Sequence, residues 1–283
     1  MKPRGAFAIE AAIHAALMAA VVFALYPITW VVSLALSPSD APEPRVLPIP
    51  SHVSLDNFVA VVTQSDYAGH WLFGPQLLSS VVVASLTAIV AIGLATPAAY
   101  ALARYRFVGA GAGTRLLLAT QMFPAVAASV PLYLLLDQLG LLDTRTGLIL
   151  VYATTAVPFA IFQMRSAFEA IPRDLEEAAM VDGATRFGAF VRVVLPAARP
   201  ALAVTALFAF MSAWNEFILA ATFLSREEIF TLPVVLNKFV SEHDAEWGKF
   251  AAAAILVSAP VMALFYALQR HLVAGLTSGG VKG

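Results

Sequence analysis

Six stretches of the chain stay apolar for about the thickness of a bilayer, and the polar residues gather between them. Crossing the hydrocarbon core takes about 20 helical residues, each rising about 1.5 Å. Runs of that order occupy residues 11–36, 77–103, 116–136, 148–168, 197–224 and 250–272. Inside lipid no water is present to satisfy a bare backbone N–H or C=O, so each run predicts a helix. The expected fold is therefore all-α integral membrane, six transmembrane helices in one domain over residues 1–283. The third run is interrupted by Gln121, Pro124 and Pro131. Such a break is tolerated only against other protein or a wet cavity. The first run follows Lys2 and Arg4 but is far longer than the roughly 7–15 apolar residues of a signal-peptide core, which points to a retained anchor.

Basic residues stay on the inner side of a membrane protein. With the N-terminus inside, twelve of the seventeen Lys and Arg residues fall on the inner segments. Both termini and residues 173–196 are then expected in the cytoplasm. Residues 37–76, 137–147 and 225–249 are expected outside, the first of them rich in proline and so extended.

Composition agrees with this pattern and removes other classes. The 283 residues are 60% hydrophobic and 12% charged, against about 25% charged in a soluble domain. A net charge of −1 gives no bulk field for nucleic acid. Zero cysteines exclude disulfides, thiolate metal sites and cysteine nucleophiles, and the five histidines are scattered without metal spacing. The chain holds no phosphate-cradling G-x-x-x-x-G-K-[S/T], no H-E-x-x-H and no G-x-S-x-G. Gly109, Gly111 and Gly113 read as a flexible turn. The chain is expected to bind no cofactor and to catalyse no reaction of its own.

The longest charged stretch between spans is residues 173–196. Pro172 suits a helix start, and Asp174, Glu176 and Glu177 place negative charge where the helix dipole favours it. Gly183 allows the left-handed turn that ends this helix, and Thr185 can cap a second. Phe187, Phe190, Val191 and Val194 recur at helical spacing and are expected on one face. Two readings fit: a helix pair lying on lipid headgroups, or an element that docks a soluble partner. The excess of acid over base here leans against an anionic membrane surface.

Glu177-Ala178-Ala179, three residues, Gly183, nine residues, then Val193-x-Leu195-Pro196 resembles the EAA signature of bacterial ABC importer permeases, with Val193 where that family has isoleucine. Residues 121–125 (QMFPA), the run at 250–254 and the tail 275–283 resemble the maltose-type permease subunit MalG. The resemblance covers nearly the whole chain and implies a type I ABC importer transmembrane domain with a cytoplasmic coupling helix. Glu177, Ala178, Ala179 and Gly183, with Leu195 and Pro196 completing the signature, would then meet a cytoplasmic ATPase subunit. Gly279, Gly280 and Lys282 would lie in a tail of residues 273–283 reaching toward the ATPase pair. The implied partners are a homologous second permease chain, two ATPase subunits and an extracytoplasmic solute-binding protein. The implied cargo is maltose, maltodextrin or a trehalose-like sugar, carried by alternating access across a bacterial inner membrane.

Polar residues inside spans are costly and usually face protein or water. Gln121, Asn215 and Glu216 are candidates to line a polar path, and Trp214 to stack on a sugar ring. For Glu216 the competing role is a helix–helix hydrogen bond that fixes packing. A passive channel or ion-coupled carrier, needing no ATPase, is the alternative function; it calls for paired intramembrane carboxylates, whereas the spans offer mainly Glu216.

Overall fold

The computed structural model describes residues 4–38, 47–50, 52–240 and 245–279. Among these the regular structure is helical, apart from two isolated β-bridges, Ser65 with Trp71 and Val240 with Ala245. In chain order the helices are α1 (Arg4–Ala35), α2 (Asp56–Val62), α3 (Phe73–Arg104), α4 (Ala110–Met122), α5 (Ala125–Gln138) and α6 (Arg145–Ala170). They continue with α7 (Asp174–Val181), α8 (Arg186–Ala189), a π-helical turn (Phe190–Val194), α9 (Leu195–Ala197), α10 (Arg199–Trp214), α11 (Ile218–Phe223), α12 (Leu232–Lys238) and α13 (Trp247–Gly279).

Four helices are long and apolar enough to cross a membrane by themselves: Ile9–Ala35, Phe73–Arg104, Arg145–Ala170 and Trp247–Gln269. The count reaches six if Ala110–Met122 with Val126–Gln138, and Arg186–Ala197 with Arg199–Trp214, are each one bent span. The first bend falls at Pro124, where the sequence places a break. The expected run 197–224 is not one helix. α10 stops at Trp214 and α11 starts at Ile218, because Glu216 turns its carboxylate onto the N–H groups of the second helix. At the C-terminus α13 continues to Gly279, so residues 273–279 of the expected tail are helical. Each further helical residue adds a backbone hydrogen bond, which carries the helix past Gly275.

The chain divides into two compact units. The first comprises Met1–Phe73 with Leu236–Ala259. In it the buried Asn57 donates from Nδ2 to the carbonyls of Ala35 (3.2 Å) and Ser37 (2.8 Å), tying α2 to the end of α1. Gly248, in the first turn of α13, leaves room for that amide: a Cβ there would lie 2.6 Å from Asn57 Nδ2.

The second unit, Gly74–Val235 with Pro260–Gly283, holds the functional candidates. Its core packs Ala95, Ala99 and Ala103 of α3 against Ala160, Ile161, Met164 and Phe168 of α6, with Val194 and Ala198. Alanines at helical spacing let the backbones approach, as helix association in lipid favours. Residues 224–231 are largely irregular, and their backbone still needs partners. Three α3 side chains supply them. Gln76 donates to the Glu227 carbonyl (3.0 Å), Ser79 donates to the Ile229 carbonyl (2.7 Å), and Ser80 accepts from the N–H of Leu232 (2.7 Å).

The same segment is pinned at its start. Asp143, in the left-handed region at φ 55°, accepts the N–H groups of Ser225 (2.8 Å) and Arg226 (3.2 Å) and the Arg226 guanidinium (2.8 Å). Partial burial raises the Asp143 pKa, but these donors outweigh it and hold the carboxyl below the usual carboxylate range. A pKa lower in the folded than in the unfolded state adds stability above about pH 4 that is lost as the pH falls through the folded value. Asp143→Asn is therefore expected to lower the melting temperature at pH 6, with the gap from the parent closing as the pH approaches 3. A gap independent of pH contradicts the assignment.

Candidate functional site

Residues 173–196 fold into a bent element whose shape is written locally. α7 ends in a Schellman motif. The N–H of Gly183 donates to the Met180 carbonyl (3.1 Å) and that of Ala184 to the Ala179 carbonyl (3.0 Å), with Gly183 at φ 90°. Thr185 then caps α8, its hydroxyl accepting the Gly188 N–H at 3.0 Å. The turn therefore has the two features that Gly183 and Thr185 predict.

The element has two edges. Glu177, Ala178, Val181, Asp182, Gly183 and Phe187 are exposed, Val181 at 87% and Phe187 at 74%. Ala179, Leu195 and Pro196 are half-buried, so the end of the signature faces the protein's own helices more than solvent. The expected single face of Phe187, Phe190, Val191 and Val194 is not formed. Val194 is buried and Phe190 half-buried, whereas Phe187 and Val191 point outward. Each i,i+4 pair makes its own stripe, and the π-helical turn from Phe190 onward widens the backbone, so one stripe turns inward and the other out.

The inner edge holds a polar network. Glu176 is buried and accepts the Tyr100 hydroxyl at 2.7 Å and the Arg104 Nε at 2.5 Å. The Arg104 and Glu176 side chains are 7% and 10% exposed. Arg104 also donates to the Ile171 carbonyl (2.9 Å), and Arg173 donates back to the Ala103 carbonyl (3.3 Å). The Tyr100 ring packs on Phe190 with centroids 4.3 Å apart and edge-on to Phe168 at 5.8 Å. The sequence reading names Glu176 only as charge at the helix start and gives Tyr100 and Arg104 no role in this element. The available signal was the i,i+4 placement of Tyr100 and Arg104 at the end of an apolar run, beside an acidic first turn.

The path candidates are separated from this element. Trp214 is 2% exposed and stacked on Phe210, centroids 5.4 Å apart, so the face assigned to a sugar is covered by protein. Asn215 is exposed and donates to the Met211 carbonyl of its own helix (2.9 Å). Glu216 accepts the Tyr152 hydroxyl (2.7 Å) and the N–H groups of Leu219 (3.0 Å) and Ala220 (3.2 Å). Its carboxylate joins α6 to the start of α11, which is the packing role. Gln121 is exposed at the α4–α5 break, donates to the Thr155 carbonyl (3.1 Å) and lines an apolar cavity of about 1150 Å³. Val90, Leu94, Phe123, Pro131 and Leu219 line it too. Gly279 is the last helical residue of α13, and Gly280 and Lys282 lie outside the described residues. Among the described residues no three His, Asp or Glu side chains are grouped to hold a metal ion.

Comparison with known proteins agrees with this architecture. Residues 89–278 match the model of the binding-protein-dependent transport system inner membrane component family. The chain is 38% identical over 263 residues to a trehalose transport system permease protein of Mycobacterium tuberculosis, covering 92% of this chain and 93% of the relative. It is 34% identical over 274 residues to a trehalose/maltose transport system permease protein of Thermococcus litoralis, covering 96% and 95%. Among solved structures, a bacterial ABC transporter involved in the import of the acidic polysaccharide alginate superimposes with a TM-score of 0.77 at 26% identity, covering 95% of this chain and 98% of that one. The protein is thus a multi-pass membrane protein and belongs to the binding-protein-dependent transport system inner membrane components, the permease subunits of ABC transporters.

Proposed function

We propose that this chain is one membrane-spanning subunit of an ATP-driven carbohydrate importer, with a cargo of the trehalose or maltose class. Family membership sets aside the carrier that works without an ATPase. The chain supplies helices that alternate between inward-open and outward-open arrangements. It binds no cofactor, and ATP is hydrolysed by two cytoplasmic ATPase subunits. A homologous second permease chain completes the membrane part, and an extracytoplasmic solute-binding protein delivers the sugar. Both termini and the bent element lie on the cytoplasmic side, following the excess of Lys and Arg there.

The observation that supports this reading best is the exposed edge of α7. α7 ends in a Schellman turn, and the element presents Ala178 and Val181 of α7 and Phe187 of α8 to solvent beside Glu177 and Asp182. An exposed apolar edge with flanking charge is what a groove on a soluble partner can grip. The sugar class is supported by the relatives, which are named as trehalose and trehalose/maltose permeases. Of the path candidates, Gln121 and Asn215 are exposed, and Gln121 borders the cavity, which favours it for the path.

Val181→Asp places an uncompensated charge at the centre of the apolar edge. Purified with its genetic neighbours, this variant is expected to lose the co-purifying ATPase and about tenfold or more of its sugar uptake. Undiminished ATPase recovery with the variant rules the docking edge out, and a parent complex that takes up none of a panel of disaccharides removes the sugar reading.

A further inference from the structure

We propose that Glu176, held by Tyr100 and Arg104, is a positioning residue that transmits movement of the bent element into α3. The proposal rests on the coupling role just given and names its route.

The bent element is joined through the backbone to α6 on one side and to α10 on the other. α3 has no such connection, because seventy or so residues separate Arg104 from the element. It is tied through space instead. Tyr100 and Arg104 hold the Glu176 carboxylate, Arg104 reaches the Ile171 carbonyl at the entry to the element, and Arg173 returns to the Ala103 carbonyl. The Tyr100–Phe190 contact adds a second point of attachment on the far arm. α3 is thus gripped at the entry, on α7 and at the π-helical turn, which is more than one bond can do to fix direction.

Burial gives the grip its stiffness. A charge-assisted pair largely removed from water resists separation, since either partner left alone keeps an unsolvated charge. The exposed edge of α7 is free for the ATPase while the opposite edge holds α3, so one short helix meets both. α3 then carries Leu94 and Val90 into the wall of the large cavity. Leu94 lies ten residues from Arg104, or about 15 Å along a helix. A displacement of α7 therefore reaches the cavity wall along one continuous helix, with Pro97 between the grip and the wall.

The test compares sugar uptake per ATP hydrolysed in the assembled complex, reconstituted in vesicles. Glu176→Ala is expected to keep the ATPase bound and hydrolysing while uptake per ATP falls about tenfold, within the usual range of site-to-site coupling. Glu176→Gln, which keeps one acceptor oxygen for Arg104 but gives up the charge, is expected to recover part of the ratio. Tyr100→Phe keeps the ring contacts and removes only one hydrogen bond, for a loss of about threefold. A residue with only a structural role would lower yield and both activities together and leave the ratio unchanged. An unchanged ratio in Glu176→Ala and Tyr100→Phe overturns the proposal; if Glu176→Ala does not accumulate, Tyr100→Phe decides. If Val181→Asp still abolishes ATPase binding while these ratios stay constant, the clamp alone has failed. If the parent chain retains no ATPase, the coupling reading has failed and the clamp with it.

Discussion

Replacing Arg104 with methionine is expected to cost the purified protein about 3–5 kcal/mol of stability, the usual penalty for breaking a buried ion pair. Methionine fills much of the same space, so packing changes little. What changes is electrostatic: the Glu176 carboxylate stays buried with only the Tyr100 hydroxyl to satisfy it. The Ile171 carbonyl also loses its donor. The melting temperature in detergent should drop on the order of 10 °C. Arg104→Met combined with Glu176→Leu should regain much of that loss, because an apolar pair of similar volume leaves no orphaned charge. A melting temperature for Arg104→Met equal to that of the parent shows the pair to be solvated in the membrane-embedded protein.

Gly183→Val is expected to reduce sugar uptake by about tenfold, with the protein still accumulating in the membrane. A Cβ at this position meets nothing within 4 Å, so crowding is not the reason. The cost is in the backbone. At φ 90° an L side chain is strained, by roughly 1–2 kcal/mol, and most of all when branched at Cβ. The chain relieves the strain by opening the Schellman turn, which moves Val181 and Phe187 relative to one another. A shift of about 1.4 kcal/mol in docking is a tenfold change in affinity. Gly183→Asn, which tolerates left-handed backbone, is expected to keep most of the transport. Equal uptake by parent and Gly183→Val separates the turn from coupling.

The apolar runs and the bent element were legible because both are local. Hydrophobic length is a property of consecutive residues, and the Gly183 turn and Thr185 cap follow from the chemistry of single residues acting on their own backbone. The break near Pro124 was legible for the same reason. The break at Asn215–Phe217 was missed. Asn215 and Glu216 sit in an otherwise apolar run, and only the Tyr152 hydroxyl and the N–H groups of Leu219 and Ala220 show that the carboxylate turns there. The stacking of Trp214 on Phe210 was not legible, because an aromatic ring in a span has the same sequence signature whether it faces a ligand or another side chain.

Sequence by itself therefore determined that this protein lives in a bilayer, where its apolar runs lie, and which short element between them bends, with its charged start and glycine turn. Tertiary structure decided which side chains of that element are free and which are committed. Glu176 and Glu177 are neighbours of identical chemistry, yet one is buried against Tyr100 and Arg104 and the other is exposed. That difference arises from how α3 packs beside α7, and partners separated by 72 and 76 positions leave no periodic trace in the chain.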